Sequence, residues 1–458
     1  MSRERYLGAA RTALLAGLLL LLPAVGAAQA DGTLRGLISQ LFIFGSSDQP
    51  LVLGGSAAPG NPATIQAHGN HFVPAAVAEN ASLIGFIGSA ISTSIGNVPI
   101  ATTSGGVSFR FEGGIPVKTS LSPGPIFAER AQTLGRGRAS VGIGHSAFRF
   151  TSLRGVPMDN ISLVFTHENV DFAGCDALNG GDCTNMGVPT LENEIMPFRL
   201  RLDVDVAVTT LYATYGVTNR LDVGVIVPLV STTLHGESNA QIIPFGPPPA
   251  VHFFGGTPGD PVLSASRTVD GSSIGLGDVA VRMKLGVHET PTSGVALLGE
   301  ARFGTGSADD LLGSGAFSAR GLAVLSGRIG AFSPHLNLGY LYHARTEQRT
   351  WNDAVLVTGG FDQLISQYVT LAADLVSELQ VGRSRLQLPG PVTYDAPYDR
   401  VIDPTTIPDR RDDLVTGSFG AKFTLPKGFT VVGNALFPLN RGGMRPDIIY
   451  TTGLALDF

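Results

Sequence analysis

Charge is scarce in this sequence. Lys, Arg, Asp and Glu make up 15 % of its 458 residues, against roughly 25 % in soluble domains. The net charge is −6 and no basic block occurs. Phosphate recognition needs clustered Lys and Arg, so a nucleic-acid-binding protein is excluded. A mean hydropathy of +0.22 excludes intrinsic disorder. Beyond residue 30 no apolar run reaches the ~20 residues that a spanning helix needs, which excludes a polytopic helical membrane protein. Cysteine occurs twice and tryptophan once. Glycine is abundant, at 59 residues, but it lacks the three-residue period of collagen. An apolar, glycine-rich chain without helical spans points to strands.

The first 30 residues have their own pattern. Arg3, Arg5 and Arg11 flank an apolar run over Thr12–Leu22, and Ala28-Gln29-Ala30 is a small-x-small cleavage site. Residues 1–30 therefore read as a cleaved signal peptide, and the chain as exported. The other reading, a transmembrane anchor, has too short a run. In an exported protein a single cysteine pair is expected to oxidise, so Cys175 and Cys183 are expected to form a disulfide. Their loop is rich in Gly, Asn and Asp. A calcium loop built on Asp171, Asp176 and Asp182 is the alternative there, but the spacing is not that of an EF-hand.

From about residue 105 onward, two-residue alternation dominates, the period of a strand. In Arg199–Thr209, Leu200, Leu202, Val204, Val206 and Val208 oppose Arg199, Arg201, Asp203 and Asp205. In Gly277–Val287, Val279, Val281, Met283, Leu285 and Val287 oppose Asp278, Arg282 and Lys284. Tight connectors such as Tyr215–Arg220 and Leu425–Gly428 alternate with long ones such as Glu168–Met196 and Leu234–Ser273, as in outer-membrane barrels. The final stretch carries Tyr450, Leu454, Leu456 and Phe458 on one face. It resembles the C-terminal assembly signal of bacterial outer-membrane proteins, which engages the barrel-assembly machinery.

Candidate strands start near residues 105, 139, 159, 198, 221, 276, 295, 316, 334, 353, 368, 414, 429 and 448. Those near 139, 159 and 353 are weakly patterned, so twelve is the alternative to fourteen. The fold class is all-β: a transmembrane antiparallel outer-membrane β-barrel of about 12–14 strands over residues 105–458. It is placed in the bacterial outer membrane, with lipid around it.

If the apolar faces meet lipid, the opposite faces line the lumen. These supply Arg199, Arg201, Arg282, Lys284, Arg302 and Arg320 against Asp203, Asp205, Asp222, Asp278, Glu300, Asp374 and Glu378. A strongly ion-selective pore would show one sign. The mixture suggests ion pairs bracing the wall, and a purely structural lumen is the alternative.

Residues 31–104 do not alternate. Ile84, Ile87, Ile91 and Ile95 form one helical stripe. The segment reads as a plug inside the barrel or as a periplasmic extension. His68 and His71 lack a third ligand type beside them, so no metal and no cofactor is expected. Enzyme chemistry is not expected either. His335 and His343 have no visible partner. Gly271-Ser-Ser-Ile-Gly275 has G-x-S-x-G spacing, but Ser273 lacks the strand-then-helix context of a nucleophile elbow.

Four stretches carry a family resemblance: Phe127–Arg138 (FAERAQTLGRGR), Leu211–Val225 (LYATYGVTNRLDVGV), Phe303–Gly315 (FGTGSADDLLGSG) and Ser333–Tyr340 (SPHLNLGY). They resemble the phenol-degradation meta-pathway outer-membrane family over roughly residues 105–458. That family is transporter-like and distantly similar to FadL-type hydrophobic-solute channels, which have fourteen strands and an N-terminal hatch. Gly60-Asn-Pro-Ala63 is similar to a short hatch motif. The resemblance implies a channel for small hydrophobic or aromatic solutes. A structural or adhesive barrel without transport is the alternative.

Overall fold

The structure is a computed structural model. It describes residues 32–44, 50–51, 85, 87–92, 94–95, 109–112, 115–118, 124–166, 194–244, 252–344, 352–385, 388, 390–394 and 400–458. Residues 1–30, Gly60-Asn-Pro-Ala63, His68, His71, Ile84, Asp171, Asp176, Asp182 and the Cys175–Cys183 pair lie outside the described residues.

A short helix, α1 (Leu34–Gln40), precedes the sheet; Thr33 caps it by accepting the Gly36 N–H at 3.1 Å. The strands used below are β1 (Ala139–Leu153), β2 (Ile161–Thr166), β3 (Ile195–Gly216), β4 (Leu221–Gln241), β5 (Ser264–Leu276), β6 (Ala280–Glu289), β7 (Ser293–Arg302), β8 (Ser318–Gly327), β9 (Phe332–His343), β10 (Ala354–Leu364), β11 (Val369–Gln380), β12 (Leu414–Thr424), β13 (Phe429–Pro438), β14 (Met444–Pro446) and β15 (Ile449–Asp457). Twelve of them close an antiparallel ring in the order β1–β3–β4–β6–β7–β8–β9–β10–β11–β12–β13–β15 and back to β1. The seam runs from Tyr450↔Ala147 to Asp457↔Ser140 and ends with Ala139 and Phe458 exchanging backbone hydrogen bonds at 2.8 and 3.0 Å. Closure leaves no edge within the ring, which the absence of water in a bilayer demands.

Two of the fourteen expected strands are not staves. The one near 105 is Phe109–Glu112, which pairs with Ile115–Lys118 in a separate hairpin. The one near 159 is β2, which pairs with β3 outside the ring. The weakly patterned stretches near 139 and 353 are staves, β1 and β10. At one end, β3–β4, β6–β7, β8–β9, β10–β11 and β12–β13 are joined by tight turns. At the other, the connections are long, so the tight end is the periplasmic one. Lys427 and Gly428, at φ 65° and 85°, make the last tight turn.

The outer face is apolar and ends in aromatic rings at two levels. Tyr215, Phe332, Phe361, Tyr368, Phe423 and Phe458 are exposed near the turns; Phe303, Phe317, Tyr340, Tyr342, Phe437 and Tyr450 are exposed toward the long loops. Phe332 and Tyr340 are eight residues apart on β9. At ~3.3 Å per residue and ~40° tilt they are ~20 Å apart in height, close to the ~25 Å band of an outer-membrane barrel. Between the levels lie Val281, Met283, Leu285, Leu336, Leu338 and Leu454, all exposed. So continuous an apolar surface is not compatible with water.

β3 and β4 run 22 and 21 residues, well past the upper aromatic level. There β2 and β5 join them as a four-stranded sheet. In this extension the faces invert. Phe198, Leu200, Leu202, Val204 and Val206 are buried, while Arg199 and Arg201 are exposed and Asp203 and Asp205 half-exposed. Arg149 bridges Asp205 at 2.7 Å and Arg201 bridges Asp203 at 3.2 Å on this outer side. The expectation that Arg199, Arg201, Asp203 and Asp205 line the lumen is therefore corrected. Above the bilayer the outside is water and the inside is protein, so the apolar row turns inward.

The inward row meets α1 and the following residues. Leu34, Leu37, Ile38, Leu41, Phe42 and Phe44 share one buried cluster with Ile87, Ile91, Ile95, Phe198, Val204 and Leu234. Phe42 stacks on Phe198 at 4.7 Å and meets Phe165 edge-on at 6.1 Å. A Cβ on Gly271 of β5 would lie 2.4 Å from the Leu37 side chain, so glycine is what lets α1 seat against the sheet.

Candidate functional site

The lumen holds two separate pieces of chain at two levels. The lower one, residues 124–136, was not legible from the sequence. It has no period of its own, and Gly124 and Gly135 adopt positive φ. It forms neither helix nor strand, so its backbone polar groups must find partners in the wall. They do so stave by stave. The Phe127 N–H donates to Asp374 of β11 at 3.3 Å, and the Ala131 N–H to Ser326 of β8 at 2.9 Å. The Leu134 N–H reaches both carboxylate oxygens of Asp222 on β4, at 3.2 and 3.0 Å. Asn337 of β9 imitates a sheet ladder. Its Oδ1 accepts the Glu129 N–H at 2.6 Å and its Nδ2 donates to the Glu129 carbonyl at 3.0 Å.

Side chains add charge-assisted bonds to this strap. Arg130 donates to both oxygens of Asp362 on β10, at 3.2 and 3.1 Å. Glu129 pairs with Arg282, and Lys284 donates to the Arg130 carbonyl at 3.3 Å. Ile126, Ala128, Ala131 and Glu129 are buried. The strap thus crosses the periplasmic half of the lumen, fastened to β4, β6, β8, β9, β10 and β11.

The remaining expected lumen residues divide by task. Glu300 is placed by the register between Arg282 and Arg320 on the neighbouring strands. It accepts from Arg320 at 2.7 Å and from Arg302 at 3.4 Å. Asp278 holds a loop rather than facing open space. It accepts from the Gly306 N–H at 3.0 Å and from both the N–H and the hydroxyl of Ser314 at 2.7 Å. This draws the Phe303–Gly315 motif back into the barrel, where the Leu311 carbonyl accepts from Thr232 at 2.8 Å. Asp374 also meets His335 at 2.6 Å. Glu378 lines a small pocket at the wall.

The upper level is apolar. The Arg35 N–H donates to the Asp309 carbonyl at 2.9 Å, and Ser92 donates to the Ala308 carbonyl at 2.8 Å. Ser238 donates to the Leu41 carbonyl at 2.6 Å. The N-terminal pieces and the 303–317 loop therefore dock on one another inside the extension. Beside them, Gly271 and Gly275 of the G-x-S-x-G stretch give room to Leu34, Leu37 and Leu312. Ser273 lies within continuous strand, with no elbow. His343 donates its Nδ1–H to the Asn352 carbonyl at 3.0 Å. No group of three or more His, Cys, Asp or Glu suited to a metal ion occurs among the described residues.

In the long-loop region, Asp353 accepts the His343 N–H and the Tyr340 hydroxyl, each at 2.9 Å. Burial favours its neutral form, but these two donors outweigh burial and hold its pKa below the ordinary carboxylate value.

On the outer face, Tyr450, Leu454 and Phe458 of the expected assembly signal are exposed and Leu456 half-exposed.

Several solved structures resemble the chain. The COG4313 outer membrane channel from Pseudomonas putida F1 is 11 % identical and matches 72 % of this chain and 98 % of its own, with a TM-score of 0.39. A Pseudomonas aeruginosa FadL homologue is 10 % identical over 70 % of this chain and 88 % of its own, with a TM-score of 0.30. The P. putida toluene transporter TodX is 9 % identical over 70 % and 90 %, with a TM-score of 0.29. No curated protein matches in sequence. Residues 190–443, more than half of the chain, match a family pattern. They include the Leu211–Val225 turn, the Asp278-held motif and the staves from β4 to β13. The chain therefore belongs to the family described as "Putative MetA-pathway of phenol degradation".

Proposed function

We propose that this outer-membrane channel-like barrel admits small, mainly hydrophobic solutes past an N-terminal plug drawn from residues 31–104. The observation that carries the reading is the lumen's content. A ring of twelve strands is wider than its own side chains fill, and here folded pieces of chain occupy the space. The upper piece is mainly apolar, through Leu37, Leu41, Phe42, Ile87 and Ile91, which offers a greasy path to an uncharged solute. The paired charges below, Glu300 with Arg320 and Arg130 with Asp362, do not favour ions of one sign. The reading includes a signal peptide over residues 1–30, a Cys175–Cys183 disulfide, and recognition of Tyr450, Leu454, Leu456 and Phe458 by the barrel-assembly machinery.

Deleting residues 34–100 while keeping the signal peptide tests it. Conductance in planar bilayers is expected to rise. A full-length protein that conducts like an open porin, unchanged by the deletion, removes the plug. If neither form conducts or speeds uptake of apolar solutes, a structural barrel replaces the channel.

A further inference from the structure

The ladder between β13 and β15 stops short. β12 and β13 stay paired up to Thr416↔Pro438, but β13 and β15 only up to Leu436↔Ile449. Beyond that point the chain passes to β14, which pairs with β1 instead. A pocket of about 70 Å³ opens where the ladder stops. Val376, Leu436, Phe437 and Ile449 give it apolar walls, and two charged residues reach it, Glu378 from β11 and Arg445 from β14.

Both charged groups have unused hydrogen-bonding capacity. Glu378 makes no hydrogen bond and no ion pair within 4 Å among the described residues, although Arg302, Arg445 and Arg320 act on it electrostatically from farther away. Arg445 is 8 % exposed, and its guanidinium is fixed through Nη2 alone, to the Val415 carbonyl and to Asn440 Oδ1 at 3.3 Å. Its Nε is buried without an acceptor, and Nη1 has none among the described residues. A buried donor left in this state is costly, and a ligand that completes it gains accordingly.

We infer that this pocket binds the polar end of a small, uncharged, hydroxyl-bearing apolar solute. The hydroxyl hydrogen goes to Glu378 and the hydroxyl oxygen accepts from the Arg445 guanidinium. A carboxylate ligand has no proton to donate to Glu378 and an ammonium has no lone pair to accept from Arg445; a hydroxyl satisfies both because it donates and accepts. Size agrees. A cavity of ~150 Å³ takes a whole benzene, so this smaller, open pocket takes the hydroxyl end and leaves the rest of the molecule outside it. The inference rests on the channel reading and assigns it a solute class.

The test uses full-length protein in nanodiscs and fluorine NMR of three probes: 4-fluorobenzyl alcohol, 4-fluorotoluene and 4-fluorobenzoate. The alcohol is expected to bind most tightly. Glu378→Leu and Arg445→Met are each expected to weaken it at least about tenfold, the scale of one hydrogen bond to a charged group. Binding of 4-fluorotoluene is expected to change less than about twofold, since it has no hydroxyl to lose. Glu378→Gln keeps an acceptor and is expected to retain most of the alcohol affinity. Equal binding of alcohol and toluene probes, preference for the benzoate, or no saturable binding overturns the assignment. If a polar variant does not fold, as judged by heat-modifiable mobility on gels, Leu436→Trp fills the pocket from its apolar side. Alcohol binding that survives this substitution also overturns it. The channel reading is decided separately, by conductance after deletion of residues 34–100.

Discussion

Replacing Asn337 by Leu should unfasten the strap at its centre. Asn337 is buried and supplies both partners of the Glu129 backbone, at 2.6 and 3.0 Å. Leu is close in volume but leaves that N–H and C=O without partners. An unsatisfied buried group costs about 1–3 kcal/mol. Lumen water that reaches them keeps the cost toward the lower end, so the pair amounts to about 2–4 kcal/mol. At 1.4 kcal/mol per tenfold, the population of a locally opened strap rises roughly 30- to 700-fold. A thiol reports this directly. In a Cys175→Ser, Cys183→Ser background, Ala131→Cys places a buried sulfur on the strap. Its labelling by a membrane-impermeant maleimide, added to purified protein in nanodiscs, should accelerate by that factor when Asn337→Leu is introduced. Equal labelling rates, with both proteins folded by heat-modifiable mobility, would refute the view that Asn337 fastens the strap.

Val281→Arg on the lipid face should cost about 2–4 kcal/mol if it lies near the midplane, read as lost folding yield in liposomes. Arg201→Ala, in the water-facing row of β3, should be nearly silent, and equal losses would contradict the inverted faces. Gly271→Leu should displace α1, because even a Cβ there lies 2.4 Å from Leu37; the expected readout is raised conductance with an intact barrel, and unchanged conductance counts against plugging by α1. The Asp353 carboxylate has a folded pKa below its unfolded value of about 3.9. Its support of the β9–β10 loop is therefore present above that value and lost as pH falls below it. The protection factor of the His343 amide should drop between pH 7 and pH 2.5, and Asp353→Asn should show the lower value at pH 7 already.

The barrel was legible because its physics is periodic. A strand between lipid and lumen must alternate, and Val281 to Val287 or Leu336 to Tyr342 do so. What alternation does not encode is which side is which. On Arg199–Asp205 the pattern is as clean as anywhere, yet it faces the other way, because the surroundings of that part of β3 are water and the N-terminal segment rather than lipid. The strand total also depended on pairing rather than pattern: of the weakly patterned stretches, β1 and β10 are staves, while β2 pairs with β3 outside the ring. The strap was invisible for the opposite reason. Its order comes from partners far along the chain, such as Asp222, Asn337 and Asp374. The FAERAQTLGRGR stretch carries the family resemblance, but it has no period that marks it as a lumen element. Gly271-Ser-Ser-Ile-Gly275 looked like catalytic spacing because close helix packing and a nucleophile elbow both call for glycine.

On the proposed channel reading, the inverted stretch of β3 and β4 sets where a solute would leave water. About a dozen residues of β3, ~40 Å along the strand, lie beyond the upper aromatic level with their apolar row turned inward. The charged headgroup layer of a bacterial surface is the part of the envelope that hydrophobic molecules cross least readily. A barrel whose greasy interior begins outside that layer lets such a molecule partition into protein before it meets the sugars and phosphates. Desolvation is then separated in space from membrane crossing. The exposed Arg149 and Arg201 and the half-exposed Asp205 keep the same projection wettable from the outside, so one sheet is polar toward its surroundings and apolar toward its interior.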